Sequence, residues 1–349
     1  MTRLRRHTLT RALSLSAAVA SLVAVAPASA DVNIYSYREP GLIDPLLKAF
    51  TEKTGIKANI VFAAAGLNER LAAEGANSPA DLLLTTDAGR LSEAKTAGLT
   101  QSVTSPTLTS AIPEAFRDAD GHWFGLTMRA RVVFASKERV AQDVITYEEL
   151  ATPKWKGKVC TRSGQHVYNT SLLATMIASQ GEAAAEAWAR GVKANLAQKP
   201  AGGDREQVRD VFSGKCDVAL GNTYYMALMM TNTKNPEQQA WAKSVKLLFP
   251  NSADRGAHIN ISGVALTKTS PNKAEAIQLI EFLASADAQA IYANVNNEYP
   301  VSPAVAPSDI VKSFGTLKPD SVPLEAIAKF RGKASEIMDR VRFDEGPGT

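Results

Sequence analysis

The segment Asp81-Leu82-Leu83-Leu84-Thr85 constrains this chain more than any other. It is short and nearly all apolar, the pattern of a parallel strand covered on both faces. It is the third strand of a series. Val32–Tyr37 reads as the first. Leu42, Leu46, Leu47 and Phe50 recur at helical spacing, and Gly55 stops that helix. Lys57–Phe62 is the second strand, with a helix near Leu67–Ala73. After the apolar strand, Asp87 caps a helix that runs through Ala97. This β-α-β-α-β order predicts an open parallel sheet with right-handed crossovers.

Trp123–Ser136 reads as a long strand leaving that sheet. A second series follows, with strands at Gly157–Thr161, Cys216–Leu220 and Val245–Phe249. Helices lie near Thr170–Ser179 and Glu182–Leu196, from Asp204 and from Thr223. A second long strand, His258–Leu266, carries the chain back, and the tail is helical at Asn272–Ala284, Ala286–Ala293 and Pro323–Val341. The reading is an α/β protein of two domains joined by two extended crossings, a hinged clamp with its cleft at the carboxyl ends of the strands. Residues 31–132 form the first part of domain 1, 133–257 form domain 2, and 258–349 return to domain 1 and end in helices.

With 349 residues, 45% hydrophobic and 21% charged, the chain can bury cores for both domains. That composition excludes a collagen, a mostly disordered chain and a coiled coil. The formal charge of +4 resides in the first 30 residues, where Arg3, Arg5, Arg6 and Arg11 stand without an acid. The remainder is neutral, which argues against nucleic acid or an anionic membrane as partner. Those 30 residues read as a signal peptide: a basic start, an apolar run from Ala12 to Ala26, and Ala28-Ser29-Ala30 as the cleavage site. The run is too short to cross about 30 Å of hydrocarbon. Cleavage after Ala30 leaves Asp31 first and sends a soluble protein out of the cytoplasm; Arg5-Arg6 leaves the twin-arginine route open. In an exported chain, Cys160 and Cys216, the two cysteines present, are expected to form a disulfide.

Signatures of catalysis are missing. The sequence contains no G-x-S-x-G elbow, no phosphate-binding G-x-x-x-x-G-K-[ST] and no H-E-x-x-H. His122, His166 and His258 are scattered, so a zinc enzyme or a Ser-His-Asp hydrolase is hard to assemble, and the chain is read as not an enzyme. Tyrosine stands out instead. Tyr168 lies eight residues past Cys160 and Tyr224 eight past Cys216, with Tyr225 beside it. Two strands of similar layout thus deliver three phenols to one sheet edge. A free phenol ionises near pH 10, and a hard trivalent cation offsets that cost by coordination. Alternatively, Tyr224-Tyr225 merely open a helix, one ring packed and one exposed.

Asn222-Thr223-Tyr224-Tyr225 resembles the N-T-Y-Y ligand motif of periplasmic ferric-ion-binding proteins, the soluble receptors of iron(III) ABC importers. The resemblance extends through Tyr35-Ser36-Tyr37-Arg38, Ser78-Pro79-Ala80-Asp81, Arg129-Ala130-Arg131, Gly202-Gly203-Asp204-Arg205 and His258-Ile259-Asn260-Ile261-Ser262-Gly263, in order over residues 31–345. It implies the two-domain periplasmic binding protein fold and a periplasmic monomer. It further implies Fe(III) as cargo, a carbonate-like synergistic anion, and an inner-membrane ABC permease as partner. The implied iron ligands are Tyr168, Tyr224 and Tyr225. Arg38 is implied to hold the anion by a bidentate contact, with Arg129 or Arg131 as a second anion partner. Because Arg129 and Arg131 alternate on a strand, just one is expected to face the cleft.

The chain departs from the family pattern at Glu39-Pro40, where relatives carry a histidine or glutamine and some a following tyrosine. Pro40 cannot ligate. Glu39 is a direct ligand, a carboxylate partnering Arg38, or a solvated charge at a helix start, with the partner role favoured. His166 is an outside candidate ligand. The rival reading is a receptor of the same fold for an organic solute (a sugar, polyamine or thiamine-like compound), in which the three tyrosines stack on the ligand.

Overall fold

A computed structural model describes residues 1–2 and 30–348. The signal-peptide reading falls almost wholly outside the described residues. Among those described, no helix is long and apolar enough to cross a membrane.

The first series forms as the pattern requires. Strand β1 (Val32–Ser36) leads to helix α1 (Pro40–Thr54), which buries Ile43, Leu46, Leu47 and Phe50 and ends at Gly55 in the left-handed conformation. Strand β2 (Ala58–Phe62), helix α2 (Leu67–Glu74), strand β3 (Leu82–Thr85) and helix α3 (Ala88–Thr96) follow. All four residues of β3 are buried. Asp87 caps α3 by accepting from the Arg90 N–H. A short helix α4 (Pro106–Ala111) precedes strand β4 (Phe124–Ser136).

The second series holds strand β5 (Val159–Cys160), helices α5 (Val167–Gln180), α6 (Glu182–Ala194) and α7 (Asp204–Phe212), and strand β6 (Val218–Asn222). Helices α8 (Thr223–Met230) and α9 (Glu237–Ser244) and strand β7 (Val245–Leu248) complete it. Strand β8 (Ile259–Leu266) returns. Helices α10 (Lys273–Ala284) and α11 (Ala286–Asn294), strand β9 (Tyr299–Pro300) and helices α12 (Asp309–Lys312) and α13 (Leu324–Arg340) close the chain.

The described strands form one curled sheet in the order β2-β1-β3-β8-β4-β6-β5, with β7 and β9 also on β4. The expectation of a parallel sheet holds for β2-β1-β3 and for β5-β6. The pairings of the long strands, for which no direction was expected, are antiparallel: β8 runs against β3, and β4 against β6, β7, β8 and β9. The two long strands link the two parallel sets directly, without a helical crossover, and therefore run against their neighbours.

Strand β4 belongs to both halves. Its Phe124–Ala130 part pairs with β8, and its Arg131–Ala135 part pairs with β6. Its neighbours thus change between Ala130 and Arg131. Phe116 sits where three apolar clusters meet and packs on all of them. Helix α13 rests on α3 and on α5. Polar contacts reinforce both seats: Arg331 pairs with Glu93 at 3.0 Å, and Ser335 donates to Gln165 at 2.6 Å.

Cys160 and Cys216 are bonded, with Cα atoms 5.9 Å apart and a sequence separation of 56. Cys160 lies in β5 and Cys216 two residues ahead of β6, so the bridge ties the two strands that precede the phenols.

Candidate metal centre

Strand β5 leads to helix α5 through residues 161–166, whereas β6 runs directly into α8. Tyr168 is the second residue of α5 and Tyr224 the second of α8. Because β5 and β6 are parallel neighbours, the two helix starts lie side by side. The Tyr168 and Tyr224 hydroxyls are 3.1 Å apart, and the Tyr224 and Tyr225 ring centres 4.2 Å apart. The three phenols line one cavity of about 210 Å³.

Burial raises the Tyr224 phenol well above its ordinary pKa, and the neighbouring phenols Tyr168 and Tyr225 raise it further. Burial raises Tyr225 as well. Without a cation these phenols are neutral. Two hydroxyls at 3.1 Å become an attractive oxygen pair once a hard cation displaces their protons. Among the described residues no three His, Cys, Asp or Glu side chains come together as a metal-holding group, and the cavity is lined by the three phenols.

The facing wall comes from the first half. Arg38, Glu39, Tyr37, Phe62 and Arg90 line it, and Arg162 and Arg205 join from the second half. The Arg38 side chain is 2% exposed and forms an ion pair with the equally buried Glu298. It also donates to Ser262 Oγ at 2.7 Å. Burial opposes the Arg38 charge, but Glu298 outweighs it and holds the guanidinium above its ordinary pKa. Arg38 Nε and Arg129 Nη2 are buried without a hydrogen-bond partner. Arg129 forms no ion pair among the described residues; its Nη1 shares Ser262 Oγ with Arg38, at 3.4 Å. Two buried guanidiniums near the phenols thus each keep a donor without a partner.

Two expectations change. Arg129 and Arg131 do not face opposite ways. Residues two apart on a strand share a face, and their guanidiniums lie 5.6 and 5.8 Å from the Tyr168 ring centre. Arg131 commits both its terminal nitrogens, to Asp204 at 2.8 Å, Asn169 and Asn222, and keeps just Nε without a partner. Glu39 does not partner Arg38: it is exposed at the start of α1 and at the cavity rim, and Glu298 holds that place. Sequence reasoning missed Glu298, 260 residues from Arg38.

His166 lines the cavity, but its Nδ1 accepts from the Tyr168 N–H at 3.2 Å. Burial, with Arg162 and Arg131 adding, pushes its pKa down to about 2, so the ring is neutral.

Known proteins share this architecture. Iron uptake protein A1 of Synechocystis is 44% identical over 311 residues, spanning 88% of this chain and 86% of its own. The apo ferric ion-binding protein A of Pasteurella haemolytica superposes with a TM-score of 0.87 at 49% identity, covering 90% of this chain and 98% of its own. A Trichodesmium protein solved with iron and citrate ligands superposes with a TM-score of 0.84 at 43% identity, covering 90% and 100%. Residues 77–314 match the family described as bacterial extracellular solute-binding protein. With the fold, the phenol cavity and these relatives in agreement, the chain belongs to the bacterial extracellular solute-binding proteins.

Proposed function

We propose that this protein captures Fe(III) in the periplasm as a monomer and delivers it to an inner-membrane ABC permease. The convergence of Tyr168, Tyr224 and Tyr225 on one arginine-rimmed cavity carries the reading. Its relatives are named for iron uptake and ferric iron binding, which supports it. The three tyrosines ligate the ion as phenolates. Three phenolates on Fe(III) sum to zero, so a carbonate-like dianion makes the site negative, and Arg38 and Arg129 hold it. Glu39 stays at the rim, outside coordination.

Residues 31–132 with 258–349 form one lobe and 133–257 the other, closing about the strand shared between them. Iron lands on the phenols, the anion docks at Arg38, and the lobes close. Protonation, anion loss or reduction releases the metal, since iron(II) is the weaker Lewis acid. Binding, not turnover, is the task.

A visible spectrum with and without iron and bicarbonate tests this. Ferric phenolate gives a charge-transfer band whose strength depends on bicarbonate. A protein that stays colourless with iron present is a receptor for an organic solute instead.

A further inference from the structure

Arg131 lies one residue past the point where β4 changes neighbours. Its N–H donates to the His258 carbonyl at 2.9 Å, and its own carbonyl accepts from the Tyr147 hydroxyl. The side chain is 1% exposed. Nη1 donates to Asp204 at 2.8 Å and to Asn222 Oδ1 at 3.2 Å; Nη2 donates to Asn169 Oδ1 at 2.9 Å. Asn169 directly follows Tyr168, and Asn222 directly precedes the helix that carries Tyr224 and Tyr225. Asp204, the first residue of α7, also accepts from the Asn222 N–H at 2.9 Å and from Arg162 at 3.2 Å. One planar guanidinium therefore grips the starts of three helices, two of which bear the phenols.

We propose that Arg131, backed by Asp204, is the positioning residue of the phenol site. It fixes the start of α5 against the start of α8, so that Tyr168 and Tyr224 present their oxygens to one ion. A site of this kind works when its groups are held within about 0.5 Å of the productive geometry. The phenols cannot supply that restraint themselves, because they sit on separate elements whose shared strand pair is short. The planar fork is essential: an ammonium is a point charge and cannot span Asn169, Asn222 and Asp204 together.

The proposal rests on the iron reading, and the experiment separates the two. Arg131→Lys keeps the charge and removes the fork. Asn222→Ala removes one acceptor and leaves the Arg131–Asp204 pair intact; Asn222 makes no side-chain capping bond to α8, so the helix loses no cap. Each variant and the natural protein are titrated with Fe(III) in bicarbonate, following the visible band, and the iron-free forms are unfolded in urea. Arg131→Lys should bind iron at least tenfold more weakly and Asn222→Ala several-fold more weakly. Both should show a displaced charge-transfer band, while iron-free Asn222→Ala unfolds like the natural protein. A role in stability alone would leave the band of the folded variants in place. Unchanged band and affinity in the folded variants overturn the proposal; if Arg131→Lys does not fold, Asn222→Ala decides alone. A natural protein without any ferric band overturns both this proposal and the iron reading.

Discussion

The two walls of the cavity are built in opposite ways. The phenol wall is built at two helix starts: each helix follows one of two adjacent parallel strands and carries tyrosine as its second residue. The guanidinium wall is assembled from afar, since Arg38 is set by Ser262 and Glu298, 224 and 260 residues away. The phenols need no distant counter-charge, although their mutual alignment leans on Arg131 of β4. A buried charge fixed by distant partners ties the site to the folding of the whole lobe.

The largest effect should come from breaking the distant wall. Glu298→Ala leaves Arg38 buried without its counter-charge, and iron-free stability should fall by about 3–5 kcal/mol in urea unfolding. Adding Arg38→Met should restore much of the loss, whereas a single variant as stable as the natural protein would show that Glu298 is no partner.

The local wall should break differently. Tyr224→Phe keeps the ring and removes the oxygen. Iron affinity should fall about a hundredfold or more, about 2.8 kcal/mol, with iron-free stability nearly unmoved. Iron affinity unchanged from the natural protein in both Tyr224→Phe and Tyr225→Phe would end the metal reading.

The phenols also set an alkaline limit. Burial raises the pKa of Tyr224 and Tyr225, and equally of Tyr147, Tyr292 and Tyr299 away from the phenol wall. An unfolded tyrosine ionises near pH 10. Each raised phenol therefore contributes stability that is complete below about pH 10 and is lost as pH rises through the folded value. Iron-free protein should weaken steeply above about pH 10. Iron affinity below that pH should rise with pH, because binding displaces phenol protons; a flat affinity profile would mean that no phenol loses its proton.

The smallest effect belongs to Glu39. Exposed at the rim, it should change iron affinity less than tenfold as Glu39→Gln, under about 1.4 kcal/mol. A larger loss with a displaced band would make it a ligand.

Legibility followed the same division. Tyr168, Tyr224, Tyr225 and the disulfide showed in the sequence because each tyrosine lies shortly past a cysteine-bearing strand segment, although the two connections differ in the structure. The β3 strand showed because burial on both faces leaves it uniformly apolar. Glu298 did not, since nothing around Asn296-Asn297-Glu298 marks a carboxylate destined for burial. The shared face of Arg129 and Arg131 was readable from strand geometry alone, and the expectation misapplied it. The mixed strand directions were not, because direction depends on which strands meet, and short-range pattern carries no pairing information.

Helix α13 lies on α3 in one lobe and on α5 in the other. A helix seated on both lobes cannot remain seated on both when they part. Parting of the lobes proposed above would slide it along one of its two beds, against which its Leu324, Ile327, Ile337 and Met338 are buried. The shared strand behaves as a torsion element, whereas this helix behaves as a friction clutch: it permits sliding between discrete packed positions and resists anything in between. The angle at which the cleft rests would then depend on the carboxyl-terminal helix, whose Ser335 holds Gln165, three residues before Tyr168.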